Sequence, residues 1–433
     1  MKLIFAAPCI ALALIAQVTH AQAPTDSLKL ESLRAASLSS DPRVAQIELL
    51  ASQSLLRLRN IGADLRPALS VDALAQYQSD VAKIDVTLPG VSLPMPKKDT
   101  YDARIGAQQR LYDPTIGPRR SVERAQLAES QARVRSALYL LTESVNAAYF
   151  TALRSQTAIA ELETTLTDLE AQLRVADSRV RAGTALPSES NSISAELLRR
   201  RQTIAEQRAA RNAALAILAD LSGTRIDTLA PLSSPDLTAQ ANAARAGIAS
   251  MRNRPEYEQF ARSRDVLERS ANVRAAQDKP RIVAFGRAGY GRPGLNPLAS
   301  RFDTYWLGGV QFQWTPWTWG TTSRERQLAE LQRQIVSTEE EAFTAQLRRA
   351  VEQDLAAIDR LESAIAGDDR IIALREDILA ETRRRYRESV ITSAEFVDRQ
   401  TDVLAARLTR ALHRVELAQA QAHLLTTLGV EVR

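Results

Sequence analysis

Cysteine occurs once, as Cys9, inside an apolar leader. Beyond the leader the chain therefore has no disulfide framework, no thiolate metal site and no cysteine nucleophile. Histidine is almost as scarce. His413 and His423 are ten residues apart on one predicted helix, a spacing that suits neither a zinc pair nor a catalytic dyad, so both read as surface or packing residues. No nucleophile–base pair, metal cluster or phosphate loop stands out, which speaks against an enzyme and against any cofactor or metal. Gly286-Arg287-Ala288-Gly289 and Gly308-Gly309 read as close-packed strand glycines rather than a cofactor loop.

Long apolar runs are missing except at the N-terminus. Met1-Lys2 is followed by apolar residues from Leu3 to Val18, then Thr19-His20-Ala21. Small residues around a cut after Ala21 fit a secretory signal peptide (residues 1–21), with the mature chain starting near Gln22. The stretch is shorter than the roughly 20 residues of a comfortable membrane span. The formal charge of +5 comes from scattered arginines. Runs such as Arg199–Arg201 and Arg383–Arg385 lack interleaved aromatics and lie on an exported chain, so no nucleic-acid partner is expected.

Aromatics are only 5% of the sequence, while Ala, Leu, Gln, Glu and Arg dominate. That composition belongs to long helices packed side by side. From about 119 to 182 there is neither proline nor glycine, and from about 324 to 388 only Gly367. Apolar residues recur at three and four, as in Leu127, Val134, Leu138, Leu141 and Val145, and again in Leu347, Val351, Leu355 and Ile358. Each run makes one helix with one buried face. Some 64 residues rise roughly 95 Å, too long for an ordinary globular domain. Shorter helices are expected over about 41–60, 188–222, 255–276 and 392–428. Each early–late pair together matches one long rod and could stack end to end beside it.

The chain is also written twice. Asp41-Pro42 returns as Arg254-Pro255, Pro67 as Pro280, and Tyr77 as Tyr290 at an offset of 213. A repeat of roughly 200 residues is a duplicated domain, since solenoid periods run to about 50. The first repeat is 22–223, with a β-hairpin about 67–114 and a helix hairpin about 119–222. The second is 224–429, with a β-hairpin about 280–316 and a helix hairpin about 321–428, leaving a short tail at 430–433.

Each hairpin alternates. Leu69, Val71, Ala73, Ala75 and Tyr77 oppose Ser70, Asp72, Gln76 and Gln78, with Leu74 the exception; a Pro-rich tip, 88–96, leads to the return strand. In the second copy Ile282, Ala284, Ala288 and Tyr290 lead through a Gly/Pro-rich tip, 291–297, to Trp306, Val310, Phe312 and Trp314. This is the dyad repeat of a transmembrane β-barrel, and equally that of a soluble hairpin lying on a core. Two features favour the barrel. All four tryptophans, Trp306, Trp314, Trp317 and Trp319, fall in this stretch and with Tyr77 and Tyr290 would form an interfacial girdle. The helices, moreover, bury their stripes on one another and leave the hairpins nothing to pack on. Four strands cannot close a barrel, and an open edge cannot face lipid, so several chains must share one. Three chains of four strands would make twelve, around an interior wide enough for water.

The ordered set of features resembles the TolC family of outer-membrane efflux proteins over essentially the whole mature chain. It is carried by "DPRV…RPALS" and its echo "RPEY…KPRIV", the corners "LYDPTIG" and "TPWTWG", the tips "RVRAGTALPSE" and "RYRESVITSAEFVD", and the stops at Gly223 and Gly429. The resemblance implies a mainly α fold with a membrane β-barrel part. The assembly would be a homotrimer with a 12-stranded barrel in outer-membrane lipid and an α-helical barrel in the periplasm of a Gram-negative cell. Its partners would be a periplasmic adaptor and an inner-membrane RND or ABC pump, serving efflux or type I secretion. A periplasmic coiled-coil scaffold with soluble docking hairpins is the alternative.

The resemblance also implies site residues. Glu395 and Asp398, three apart and so on one helix face, match the family's pore constriction; acidic residues also simply suit a helix's first turn. Tyr386 and Glu189 match its gate latch, whose hydrogen bond would contribute about 1.5–3 kcal/mol. The family's pore-closing arginine is replaced by Ile391, and Ser389 stands where glycine is usual, whereas Gly183 is kept. The turns Gly183, Thr184, Ala185, Leu186 and Ser389, Val390, Ile391, Thr392 would dock the adaptor.

Overall fold

The two runs poor in proline and glycine form the frame. The computed structural model describes residues 27–81, 97–246, 252–296, 300–388 and 390–430. The leader with Cys9, the Pro-rich tip at 88–96, Ser389 and the last three residues lie outside them. The second run is one helix, α8, Thr321–Arg387, whose 67 residues rise about 100 Å. The first is split into α3, Ile116–Tyr139, and α4, Leu141–Arg181. The expected unbroken rod fails only at Leu140, whose backbone keeps helical angles (φ −64°, ψ −22°); no glycine or proline marks the place.

The short helices flank these columns as their lengths suggested. α2, Arg43–Ala63, packs on α3, and α5, Pro187–Ser222, packs on α4. In the second repeat α7, Pro255–Gln277, lies between α3 and α8, and α9, Ser393–Thr427, lies on α8, α4 and α5. Prolines at the starts of α5 and α7 fit a first turn, where no amide hydrogen is needed. Two helices were not anticipated, α1 (Leu30–Ser40) and α6 (Thr238–Ala246). They wrap the waist, where Tyr149, Phe150, Leu215, Leu218, Leu237, Leu424 and Leu425 form the largest buried cluster. Tyr149 is fully buried, its hydroxyl 2.9 Å from the Leu28 carbonyl and 2.5 Å from that of Ser233.

Beyond the upper helix ends lies one antiparallel sheet in the order β1 (Ala68–Tyr77), β2 (Asp99–Tyr112), β3 (Arg281–Arg292), β4 (Asp303–Gln313). The two repeats are joined through β2 and β3. The helical layer beneath follows the same order, α2, α3, α7, α8, by its packing partners. Among the described residues, β1 with α2 and β4 with α8 are thus the two open edges of one continuous wall.

Candidate functional site

Register decides what the sheet can face. Val71 opposes Ile105, Ile105 opposes Ala288, and Ala288 opposes Trp306. Directly paired residues point to the same side, so one face carries Leu69, Val71, Tyr77, Ile105, Tyr290, Trp306, Val310 and Phe312. All of these are exposed: Val71 by 81%, Leu69 by 77% and Trp306 by 79%. The other face carries Ser70, Asp72, Asp102, Arg104, Gln108, Arg287 and Gln311, with Leu74, Val283, Phe285 and Leu307 as apolar exceptions. Along β2 the apolar Tyr101, Ala103, Ile105 and Ala107 are exposed while Asp102 and Arg104 are half-buried. A sheet that shows water its apolar side and folds its charges inward inverts the arrangement of a soluble hairpin.

The inward face is cross-linked. Arg104 pairs with Asp72 at 3.6 Å and with Asp102 at 3.5 Å, and Tyr305 donates to Asp102 at 2.6 Å. Tyr305 reaches Asp102 across Gly289, where a Cβ would stand 2.6 Å from the tyrosine ring. That close approach is why glycine occupies a strand interior here.

The aromatics expected to form a girdle fall into two bands. Tyr77, Tyr290 and Trp306 lie toward the loop ends of the strands, whereas Trp314, Trp317 and Trp319 fall beyond β4 on the corner leading to α8. Trp306 and Trp314 are eight residues apart, about 27 Å of strand. With strands tilted near 40°, that approaches the height of a barrel's apolar band. Trp314 donates to the Asp278 carbonyl at 3.0 Å, and Trp317 and Trp319 meet edge to face at 5.9 Å.

The edge helices carry matching stripes. Leu49 and Leu56 of α2 are 66% and 59% exposed; Leu328 and Ile335 of α8 are 52% and 56% exposed. Leu56 and Leu49 lie 7 and 14 residues from the sheet end of α2, and Leu328 and Ile335 lie 7 and 14 from that of α8.

At the opposite end are the two helix turns. Gly183 takes φ 71°, and Thr184 N–H donates to the Arg179 carbonyl at 2.9 Å, closing α4 with a left-handed cap. In the second turn Val390 N–H makes the corresponding bond to Arg385 at 2.9 Å. Leu186 and Val390 are 69% and 62% exposed, Thr184 and Thr392 are exposed, and Ala185 and Ile391 are half-buried. Thr392 caps α9, its hydroxyl accepting from Glu395 N–H at 3.3 Å. Glu395 and Asp398 are both exposed on one side of α9, and neither carboxylate enters an ion pair among the described residues.

The structure brings Tyr386 and Glu189 near each other without the expected hydrogen bond between them. Instead Tyr386 is buried against Phe396, and Ser393 donates to the Glu189 main-chain carbonyl at 3.3 Å. Burial, then the charge of Glu189, pushes the Tyr386 hydroxyl upward, against Arg179, whose guanidinium lies 5.7 Å from the ring centroid. Phe396 and Arg179 were missed from the sequence. An available signal was that Phe396 is the single aromatic in α9.

The histidines are also more than filler. His413 lies 2.6 Å from Asp368 and His423 2.8 Å from Asp354, both pairs joining α9 to α8. Among the described residues no cluster of three or more His, Cys, Asp or Glu is placed to hold a metal ion, and no helix is long and apolar enough to cross a membrane.

No protein-family model matches the sequence, and no curated protein matches it by sequence. Solved structures do match its fold. CusC, studied for folding and transmembrane channel formation, superposes with a TM-score of 0.68 at 16% identity over 93% of this chain and 92% of its own. The Campylobacter jejuni CmeC outer membrane channel gives 0.64 at 13% identity over 94% and 86%. The open state of the Neisseria gonorrhoeae MtrE outer membrane channel gives 0.63 at 18% identity over 93% and 89%. Full-length agreement at this level establishes that the chain has the fold of TolC-type outer-membrane channels.

Proposed function

We propose that the protein is the outer-membrane channel of a tripartite efflux or type I secretion system, working as a homotrimer. The observation that carries this is the sheet register, which gathers most apolar residues of four strands on one exposed face and most charges on the other, with the Arg292–Asp99 pair on the apolar face near the loop ends. Such a sheet suits lipid outside and water inside.

Its free edges explain the assembly. β1 and β4 have unpaired backbone groups that lipid cannot satisfy. Placing β4 of one copy on β1 of the next pairs those groups and sets the stripe Leu328–Ile335 at the height of Leu49–Leu56. Repetition of one such head-to-tail contact closes a ring. Three copies of a four-stranded sheet make twelve strands around a water-filled lumen.

Below the membrane the helical wall continues the duct through the periplasm. At its end Glu395 and Asp398 supply stacked carboxylate rings that narrow the pore and favour cations. The Tyr386–Glu189 region holds the closed form. A periplasmic adaptor docking on the exposed turns, coupled to an inner-membrane RND or ABC pump, opens it. Transport through the duct is passive.

The test is the native mass of protein extracted in detergent from the outer-membrane fraction. A trimer there supports the shared barrel. A soluble periplasmic monomer or dimer would overturn it and leave a scaffold with docking arms.

A further inference from the structure

The gate level contains a groove that the channel reading does not use. It has a volume of about 320 Å3 and lies between α4 and α8, with Phe396 of α9 in its wall. Asp168, Val175 and Arg179 share its α4 wall; Arg383 and Arg387 stand four apart on its α8 wall. α4 and α8 run the same way and end together at the tip, at Arg181 and Arg387. Arg179 therefore stands level with the Arg383–Arg387 pair, as its position 5.7 Å from the Tyr386 ring confirms.

Several ion pairs of the lower helices form within one hairpin. Within the second hairpin Arg375 meets Asp402 at 2.5 Å and Arg410 meets Asp369 at 2.9 Å. Within the first, Arg201 meets Glu170 at 2.7 Å and Arg208 meets Glu163 at 2.5 Å. Across the groove between the hairpins, Arg179, Arg383 and Arg387 have no ion pair among the described residues. The one acid in the lining, Asp168, is 11 residues from Arg179 along α4, about 16 Å away. Three cations on facing walls repel and favour separation of the hairpins. An anion between them reverses the sign, and guanidinium groups take a carboxylate through paired hydrogen bonds. Beside them Val175 is 51% exposed, an apolar surface for the remainder of such a ligand.

We propose that this groove binds a small aromatic carboxylate, with its carboxylate between Arg179 and the Arg383–Arg387 pair and its ring on Val175. The bound anion holds the two hairpins together and so favours the closed gate. The gating half of the proposal rests on the channel reading; the binding half does not.

The probe is 1-naphthoate, with 1-naphthamide as its uncharged counterpart, in equilibrium dialysis against the full chain in detergent. Naphthoate should bind at least tenfold more tightly than naphthamide, and the double variant Arg383→Gln/Arg387→Gln should lose that preference. Val175→Asp, a change at an exposed position that supplies an internal acid, should lose it too and guards against misfolding of the first variant. Equal binding of the two probes, or full retention in both variants, would overturn the site. In planar bilayers naphthoate should lower the open probability of the wild type severalfold and leave the variants unaffected; binding without that effect would overturn the clamp. A non-trimeric native mass would defeat the channel reading while leaving the dialysis result standing, so the two failures are separable.

Discussion

Tyr386 of α8 lies flat on Phe396 of α9, with ring centroids 5.0 Å apart and planes within 12°. Phe396 is 2% exposed and Tyr386 9%, so the pair fills the space where the second hairpin meets α4. Phe396→Ala leaves a cavity, and such truncations cost about 3–5 kcal/mol. The expected outcome is frequent opening in bilayers together with a lower melting temperature. Tyr386→Phe keeps the stack and removes only the hydroxyl that Glu189 acts on, so its effect should be distinctly smaller. Equal effects would place the latch on the hydroxyl instead.

The proposed carboxylate rings make a separate prediction. Glu395 and Asp398 are exposed on one face of α9, and replacing both with Ala should raise single-channel conductance and reduce cation preference. If neither value moves, the constriction lies elsewhere.

The edge stripes should be needed for assembly and not for folding of one chain. Leu56 and Ile335 are 59% and 56% exposed in the single chain, so Leu56→Glu or Ile335→Glu should change its stability by only about 0.5 kcal/mol. In the proposed trimer the same residue would become a buried unpaired charge. The native mass should fall from trimer to monomer while circular dichroism is retained. A trimer that survives both changes would refute the head-to-tail contact.

His423 gives a pH dependence with a definite sign. Its hydrogen bond to Asp354 raises the imidazole above its ordinary value of 6.5, against the opposing effect of burial. A folded value above the unfolded one means the stabilisation is fully present below about pH 6.5 and fades as pH rises through the folded value. The side chain is 51% exposed, so the contribution should not exceed about 1 kcal/mol. The melting-temperature advantage of wild type over His423→Gln should be larger at pH 6 than at pH 9. An advantage independent of pH would mean that the pair is not charged.

Much of the architecture was legible locally. The columns followed from stretches without proline or glycine and from three-and-four spacing, and α5, α7 and α9 begin and end within a few residues of expectation. What was missed is short or depends on distant partners. α1 has 11 residues and α6 has nine; they are held by the waist core, which no local pattern announces. Nothing around Leu140 signals a break. At the helix tips the resemblance pointed to Tyr386 and Glu189, yet the ring's partner is Phe396, ten residues on across a turn.

What the sequence by itself determined is the period of each segment: two in the hairpins, 3.6 in the rods, and the duplication that orders them. Those periods depend on neighbours along the chain, so they can be read without a fold. Only the tertiary structure decided how the segments align. β2 and β3 come from different repeats, and a slip of one residue between them would have turned the apolar side of one hairpin onto the polar side of the other. The observed register puts Ile105 against Ala288, giving the wall one mainly apolar face and one mainly polar face. The match of Leu49 and Leu56 with Ile335 and Leu328, and the placing of Arg179 beside the Arg383–Arg387 pair at the helix tips, have the same origin. Each depends on relative helix heights that are set only once the chain has folded.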